Sequence, residues 1–199
     1  MYREVESGHT RFEGESTSQA KAVFLDLEGT LVEETAANIH DRHFNLLPGV
    51  ASALALLKQA GWLLVLVANQ PAVGRGELAH DEHQAMLMDL RQSLAEAGSP
   101  LDGIYLCLHT PWEACECRKP QPELLFRAAR ELGIELRASW VIGDRPMDVH
   151  AGVTAGCRTI WLTPVYHLSV EDNEAEPDLV CRDLAQAACE ILHWDDRSA

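Results

Sequence analysis

Four short clusters of charged and amide residues stand where strands should end, and each has a chemistry it could perform. Asp26 and Glu28 lie two residues apart in the run KAVFLDLEGTL (Lys21 to Leu31). Residues two apart in extended chain point the same way, so both carboxylates can face one crevice. Such a pair can divide labour, one as nucleophile and metal ligand, the other as proton donor and acceptor. An acidic strand-to-loop turn on an acidic protein is the alternative. Asn69 and Gln70 end a second apolar run, and Gly74, Arg75 and Gly76 follow. Amide side chains and backbone N–H groups there can bind phosphate oxygens, although Asn-Gln before a Pro is also an ordinary turn. Arg118 and Lys119 precede a helical segment and can grip a phosphate, Arg by its planar fork and Lys as a point charge; a solvated basic pair is the other reading. Asp144 and Asp148 follow a third apolar run (VIG) and suit a hard cation such as Mg²⁺, which prefers oxygen ligands.

Cysteine placement adds a further candidate centre. Cys107, His109, Cys115 and Cys117 crowd into one short loop. Three thiolates and one imidazole complete a tetrahedral zinc site with no open position, so a zinc ion there would be structural. It would fix a loop with little core of its own and thereby position Arg118 and Lys119. Free thiols or a disulfide are the alternatives. Cys157, Cys181 and Cys189 read as buried small apolar residues.

These clusters need a scaffold that brings them together. Lys21–Leu27, Trp62–Ala68, Gly103–Leu108, Trp140–Ile142 and Thr159–Leu162 read as strands, with Leu179–Val180 as a last edge strand. Helical spacing marks Val50–Ala60, Asp81–Ala97 (with Met86, Leu90, Leu94 and Ala97 on one stripe), Pro122–Leu132, Asp148–Ala155 and Asp183–Trp194. Alternation of strands and helices predicts an α/β fold, a mainly parallel sheet with helices on both faces. Ligands of such sheets bind outside the carboxyl ends of the strands, where all four clusters are expected. Residues 1–20 are polar and aperiodic and read as a flexible arm before a single domain, 21–199. His40, His43, His80, His83 and His150 read as solvated or helix-face histidines, and Asp195-Asp196 as a solvated tail.

Composition limits the partners. The chain has 199 residues, with 16 Lys and Arg against 31 Asp and Glu, a net charge of −15. That surface repels phosphate backbones and anionic lipids, so neither nucleic acid nor membrane is expected as a partner. No apolar run approaches the ~20 residues of a membrane span, and the first residues lack a signal-peptide core. The expectation is a cytoplasmic protein with reduced thiols, in which an anionic substrate would need a local basic focus and a bound cation.

Taken together and in order, DLEGTL, VANQ, RKP and GDRPMD resemble the four motifs of the haloacid dehalogenase (HAD) superfamily of aspartate-dependent phosphohydrolases, over about residues 21 to 165. The C-x-H…C-x-C-R-K-P loop, NQPAVGRGE and FNLLPGV are similar to the branch that holds the D-glycero-D-manno-heptose 1,7-bisphosphate phosphatases and the histidinol-phosphate phosphatases. The resemblance implies a three-layer Rossmann-like fold, and no insert between the strands is long enough for a large cap domain. It also implies that Asp26 attacks phosphorus, that Glu28 protonates the leaving oxygen and then activates water, and that Lys119 neutralises charge. By the same resemblance Mg²⁺ sits on Asp26, the Glu28 carbonyl and Asp144 with Asp148 behind, while Asn69, Gln70, Arg118 and Arg145 contact substrate.

Two departures from the family pattern bear on rate. Glu28 stands where most members have Asp, and Ala68 where most have Thr or Ser, which removes one hydroxyl donor to the phosphoryl group. Pro71 removes a backbone N–H as well. The substrate that the resemblance implies is a small phosphorylated metabolite: a sugar phosphate, a heptose bisphosphate foremost, then histidinol phosphate or another phosphomonoester. A weakened relative that binds a phosphorylated ligand without efficient turnover is the competing expectation. The resemblance suggests a monomer, with substrate contacts from loops at Val32–Asn45, Ala72–Gly76 and Trp112–Arg118. Trp112 reads as loop packing rather than a lid.

Overall fold

A computed structural model describes residues 19–34, 43–163 and 175–198. Most of the proposed flexible arm, together with His40, lies outside the described residues. So does the middle of the expected substrate loop at Val32–Asn45. Ala20, assigned to the arm by its polarity, is already tied down: its N–H donates to Gly133 O and its carbonyl accepts from Glu135 N.

Six strands form the sheet: β1 (Ala22–Leu25), β2 (Leu63–Asn69), β3 (Gly103–Cys107), β4 (Trp140–Gly143), β5 (Arg158–Leu162) and β6 (Leu179–Cys181). Their order is β3-β2-β1-β4-β5-β6, and every neighbouring pair is parallel. Between them run α1 (Val50–Gln59), α2 (Pro71–Gly74), α3 (His80–Glu96), α4 (Glu123–Leu132), α5 (Pro146–Ala155) and α6 (Leu184–Ser198).

The period of two in each strand separates two cores. Val23 and Leu25 of β1, with Leu64, Leu66 and Ala68 of β2, face one layer, where Val50, Ala53, Leu54 and Leu57 of α1 pack with Met86, Leu90 and Leu94 of α3 and Leu184, Ala188 and Ile191 of α6. Ala22 and Phe24, with Val65 and Val67, face the other, against Leu124, Leu125 and Ala128 of α4 and Ala151 and Ala155 of α5. Burial on both faces explains why the strands read as unbroken apolar runs. Each fully buried Leu or Phe contributes roughly 1.5–3 kcal/mol of transfer free energy.

Some expectations need correction. Ala97 lies one residue past α3 and is exposed, because the chain turns there toward Gly98. Cys189 is exposed, whereas Cys157 and Cys181 are buried; the stripe of α6 that meets the sheet is Leu184, Ala187, Ala188 and Ile191, and position 189 falls off it. Asp195 is not a solvated tail residue: it belongs to α6 and ion-pairs with Lys21. The short helix α2 was not foreseen. Its first residue is Pro71, at a position whose N–H has no intrahelical partner, so the proline costs the helix nothing. Among the described residues no helix is long and apolar enough to cross a membrane.

Candidate active site and Cys/His cluster

The strand order decides where the chemistry sits. β1 lies in the middle, with β2 on one side and β4 on the other. The chain leaves β1 toward β2 in one direction and reaches β4 in the other, so a crevice opens at the carboxyl ends of these three strands. Register brings Leu25 level with Leu66 and Ile142, and Asp26 N–H donates to Ile142 O at 3.0 Å. Asp26, the residues after β2 and Asp144 therefore share one rim.

Two glycines make that rim possible. Gly29 has φ +77°, and a Cβ there would come 2.2 Å from Asp144 Oδ2. A Cβ on Gly143 would come 2.3 Å from the Asp148 side chain. Any larger residue at either position would push a carboxylate out of the crevice. Trp161 Nε1–H donates to the Asp144 carbonyl at 2.9 Å and steadies the same loop. Asp148 caps α5 by accepting from Arg145 N–H at 3.1 Å.

Lys119 is the cation of the crevice. It is 4% exposed. Its Nζ lies 2.5 Å from Asp26 Oδ1, 2.5 Å from Asp148 Oδ1 and 2.8 Å from Val67 O, to which it donates. Burial opposes its charge, but Asp148 and Asp26 more than offset this and hold the ammonium above the ordinary lysine value. Burial first, then the charges of Asp26 and Asp148, pushes the Asp144 carboxyl up to about 7. Burial also lifts Asp148, against the opposing pull of Lys119.

Asp26 and Asp148 share one ammonium, and Asp144 Oδ1 is buried without a hydrogen-bond partner. The Asp26, Asp144 and Asp148 oxygens lie within 4.8 Å of one another. Opposite oxygens around Mg²⁺ stand about 4.2 Å apart, twice its ~2.1 Å bond length. An all-oxygen, net-negative cluster of that size fits the ion that the family resemblance implies.

The expected substrate ligands are placed unevenly. Asn69 and Gln70 both reach the rim but are engaged by the protein. Asn69 Oδ1 accepts from Lys119 N–H at 3.0 Å and its Nδ2 donates to Lys119 O at 3.1 Å. Gln70 is buried, with Oε1 3.1 Å from His83 Nε2, and its own N–H donates to Cys107 O at 2.7 Å. Its backbone is thus closed to a phosphate, and Pro71 offers no N–H. Arg118 donates from Nη1 to His109 O at 3.2 Å. Arg145 stays exposed, 3.9 Å from both Asp144 and Glu34. Glu28 follows β1 beside Arg75, whose charge is held chiefly by Glu77 and also by Glu28.

Cys107, His109, Cys115 and Cys117 converge as expected. The Cys107 and Cys115 sulfurs stand 3.8 Å apart, and His109 Nδ1 lies 3.5 Å from Cys107 Sγ and 3.3 Å from Cys117 Sγ. Tetrahedral zinc, with bonds of about 2.3 Å to sulfur and about 2.0 Å to nitrogen, requires edges of about 3.8 Å and about 3.5 Å. The donor set and its dimensions fit zinc and exclude a disulfide. Glu113 braces the loop by accepting from Thr110 N–H and Oγ1 at 2.6 and 2.7 Å. Trp112 does not pack: it is 78% exposed in this loop, whose contact with the core runs through Cys107, Cys115 and Cys117 instead.

His83 was misread as a solvated or helix-face residue. It is 1% exposed, meets Phe44 edge-on and has its pKa lowered by burial, and by His80, to about 4. The signal was present in the stripe Met86, Leu90, Leu94, which continues backward to position 83 at helical spacing.

Comparison with known proteins agrees with this architecture. Residues 116–187 match the HAD-hydrolase-like family model. The chain is 36% identical over 177 residues to the D-glycero-beta-D-manno-heptose-1,7-bisphosphate 7-phosphatase of Yersinia pestis, covering 85% of this chain and 94% of that protein. It is 33% identical over 171 residues to the enzyme of the same name from Escherichia coli K12, covering 82% and 90%. The crystal structure of D,D-heptose 1,7-bisphosphate phosphatase from B. bronchiseptica, complexed with magnesium and phosphate, superposes with a TM-score of 0.79 at 30% identity, over 87% of this chain and 99% of that one. With its sheet order, its acidic crevice and relatives of this identity along most of its length, the chain belongs to the HAD-like hydrolases and is a phosphatase of that family.

Proposed function

We propose that this chain is a Mg²⁺-dependent phosphatase that removes the 7-phosphate of D-glycero-β-D-manno-heptose 1,7-bisphosphate, acting as a cytoplasmic monomer. The observation that carries the reading is the meeting of Asp26, Lys119, Asp144 and Asp148 in one crevice beside a Cys₃His cluster. Relatives named for that substrate support the choice of sugar.

In this mechanism Asp26 attacks phosphorus in line with the leaving oxygen, so that an O–P bond to Asp26 forms as the ester O–P bond breaks. Glu28 gives its proton to the departing sugar oxygen. It then takes a proton from water, whose oxygen attacks the aspartyl-phosphate and releases inorganic phosphate and free Asp26. Lys119 already touches Asp26 Oδ1, so it neutralises the anionic nucleophile on the approach to an anionic group. Asp26, Asp144 and the Glu28 carbonyl would hold Mg²⁺, which would supply further positive charge in the crevice. Cys107, His109, Cys115 and Cys117 would hold zinc, which would steady the segment that delivers Arg118 and Lys119.

The deciding experiment measures phosphate release from the heptose bisphosphate with and without Mg²⁺, with ³¹P spectra to identify the phosphate lost. Fast loss of the 7-phosphate that disappears in Asp26→Asn supports the proposal. Equal rates for the two proteins would exclude catalysis through Asp26. A second reading has its own observation: Ala68 has no hydroxyl, Pro71 has no N–H and the Gln70 N–H is occupied. With so few donors at the end of β2, binding of a phosphorylated ligand with slow turnover is the outcome if phosphate release stays near background.

A further inference from the structure

We propose that Asn69 is a positioning residue for Lys119 and not a substrate ligand; the proposal rests on the phosphatase reading of this crevice. Both functional atoms of its carboxamide meet the main chain of residue 119, Oδ1 accepting from its N–H at 3.0 Å and Nδ2 donating to its carbonyl at 3.1 Å. Nδ2 also faces Met147 Sδ at 3.5 Å. The pair of bonds imitates one rung of a sheet, made by a side chain at the last residue of β2. The side chain of Lys119 then runs back to Val67 O, two residues earlier on the same strand, at 2.8 Å. Residue 119 is therefore fastened to β2 at both ends, by its backbone at Asn69 and by its ammonium at Val67.

Lys119 needs such a fastening. It lies between the Cys/His loop and α4, in neither helix nor strand. The ammonium has a narrow target, 2.5 Å from each of two carboxylates. A misplacement of about 1 Å in such a site can cost ~10²-fold in rate. Only an amide of this length supplies the donor and the acceptor together. Aspartate lacks the donor, serine is too short and glutamine is one methylene too long.

The test uses Asn69→Ala in the full chain, with Asn69→Ser as a second variant should the first fold poorly. Turnover of an aryl phosphate separates the roles. A positioning role lowers kcat about 10- to 100-fold with KM within about threefold, whereas a lost phosphate ligand raises KM at nearly constant kcat. Acetic anhydride labelling read by mass spectrometry follows Lys119 without reference to activity. Labelling of Lys119 should be slow in the wild type and at least ~10-fold faster in the variants, with the surface residue Lys58 unchanged as the internal standard. Unaltered Lys119 labelling, or a rise in KM alone, overturns the proposal. A wild type that labels as expected but releases no phosphate would instead refute the phosphatase reading and leave the clasp standing.

Discussion

The two ends of the crevice are built in opposite ways. The carboxylate floor is made by strand ends and first turns: Asp26 follows β1, Asp144 follows β4, and Asp148 sits inside α5. The sheet holds these groups close against their own repulsion, and burial first, then that repulsion, raises the carboxyl pKa values of Asp144 and Asp148. The Cys/His loop has no such frame. Only Cys107 is rooted in a strand, and Trp112 and Glu116 are exposed to water. There four converging ligands would hold the fold through a cation, which would supply what core packing supplies elsewhere. A metal would relieve repulsion at the rigid site, whereas at the Cys/His cluster it would create rigidity.

That contrast can be broken at either end. The largest effect is expected from Asp26→Asn, which removes the nucleophile and should cut phosphate release by ~10³-fold or more, read with Mg²⁺ and an aryl phosphate. Its thermal midpoint should change little, because the carboxamide keeps the packing and the lost ion pair with Lys119 is offset by relief of the repulsion from Asp144 and Asp148. Cys115→Ser should do the reverse: zinc content falls from one ion per chain, the midpoint drops, and kcat falls by ~10–100-fold through a loosened Lys119. A Cys115→Ser protein of unchanged rate would show that the loop does not position the lysine.

Smaller changes sharpen the comparison on the strand side. Ala68 is 1% exposed at the site of the missing hydroxyl. Ala68→Ser should raise kcat about tenfold by restoring a donor to the phosphoryl group, at a modest cost in midpoint. The pH dependence of stability isolates His83. Its pKa is about 4 in the folded chain against 6.5 in the unfolded one. Its neutral form therefore adds nothing to the pH slope above 6.5, and stability is lost as pH falls from 6.5 toward 4. The loss at pH 6 is about 1 kcal/mol, and denaturant titrations of wild type and His83→Gln should differ by that amount.

Much of the floor was legible in the sequence because its signals are local. An apolar run that ends in Asp26, Asp144 or an amide, with a glycine at the bend, reports both the strand and the crevice. The Cys/His spacing did the same for the loop. The partners of each side chain were not legible. Asn69 and Gln70 carry the chemistry of phosphate ligands, and only tertiary contact shows their amides turned to Lys119 and His83. His83 was missed because a histidine on a helix face reads as polar until its stripe is traced. Trp112 was misjudged because hydrophobicity predicts burial only where a core exists to receive it.

The central position of β1 also bears on how the chain is made. Its edge toward β2 can be covered as soon as Leu63–Asn69 has emerged from the ribosome, but the other edge waits for Trp140–Gly143. Through that interval a wholly apolar ribbon presents unpaired amides, an edge open to misjoined sheets.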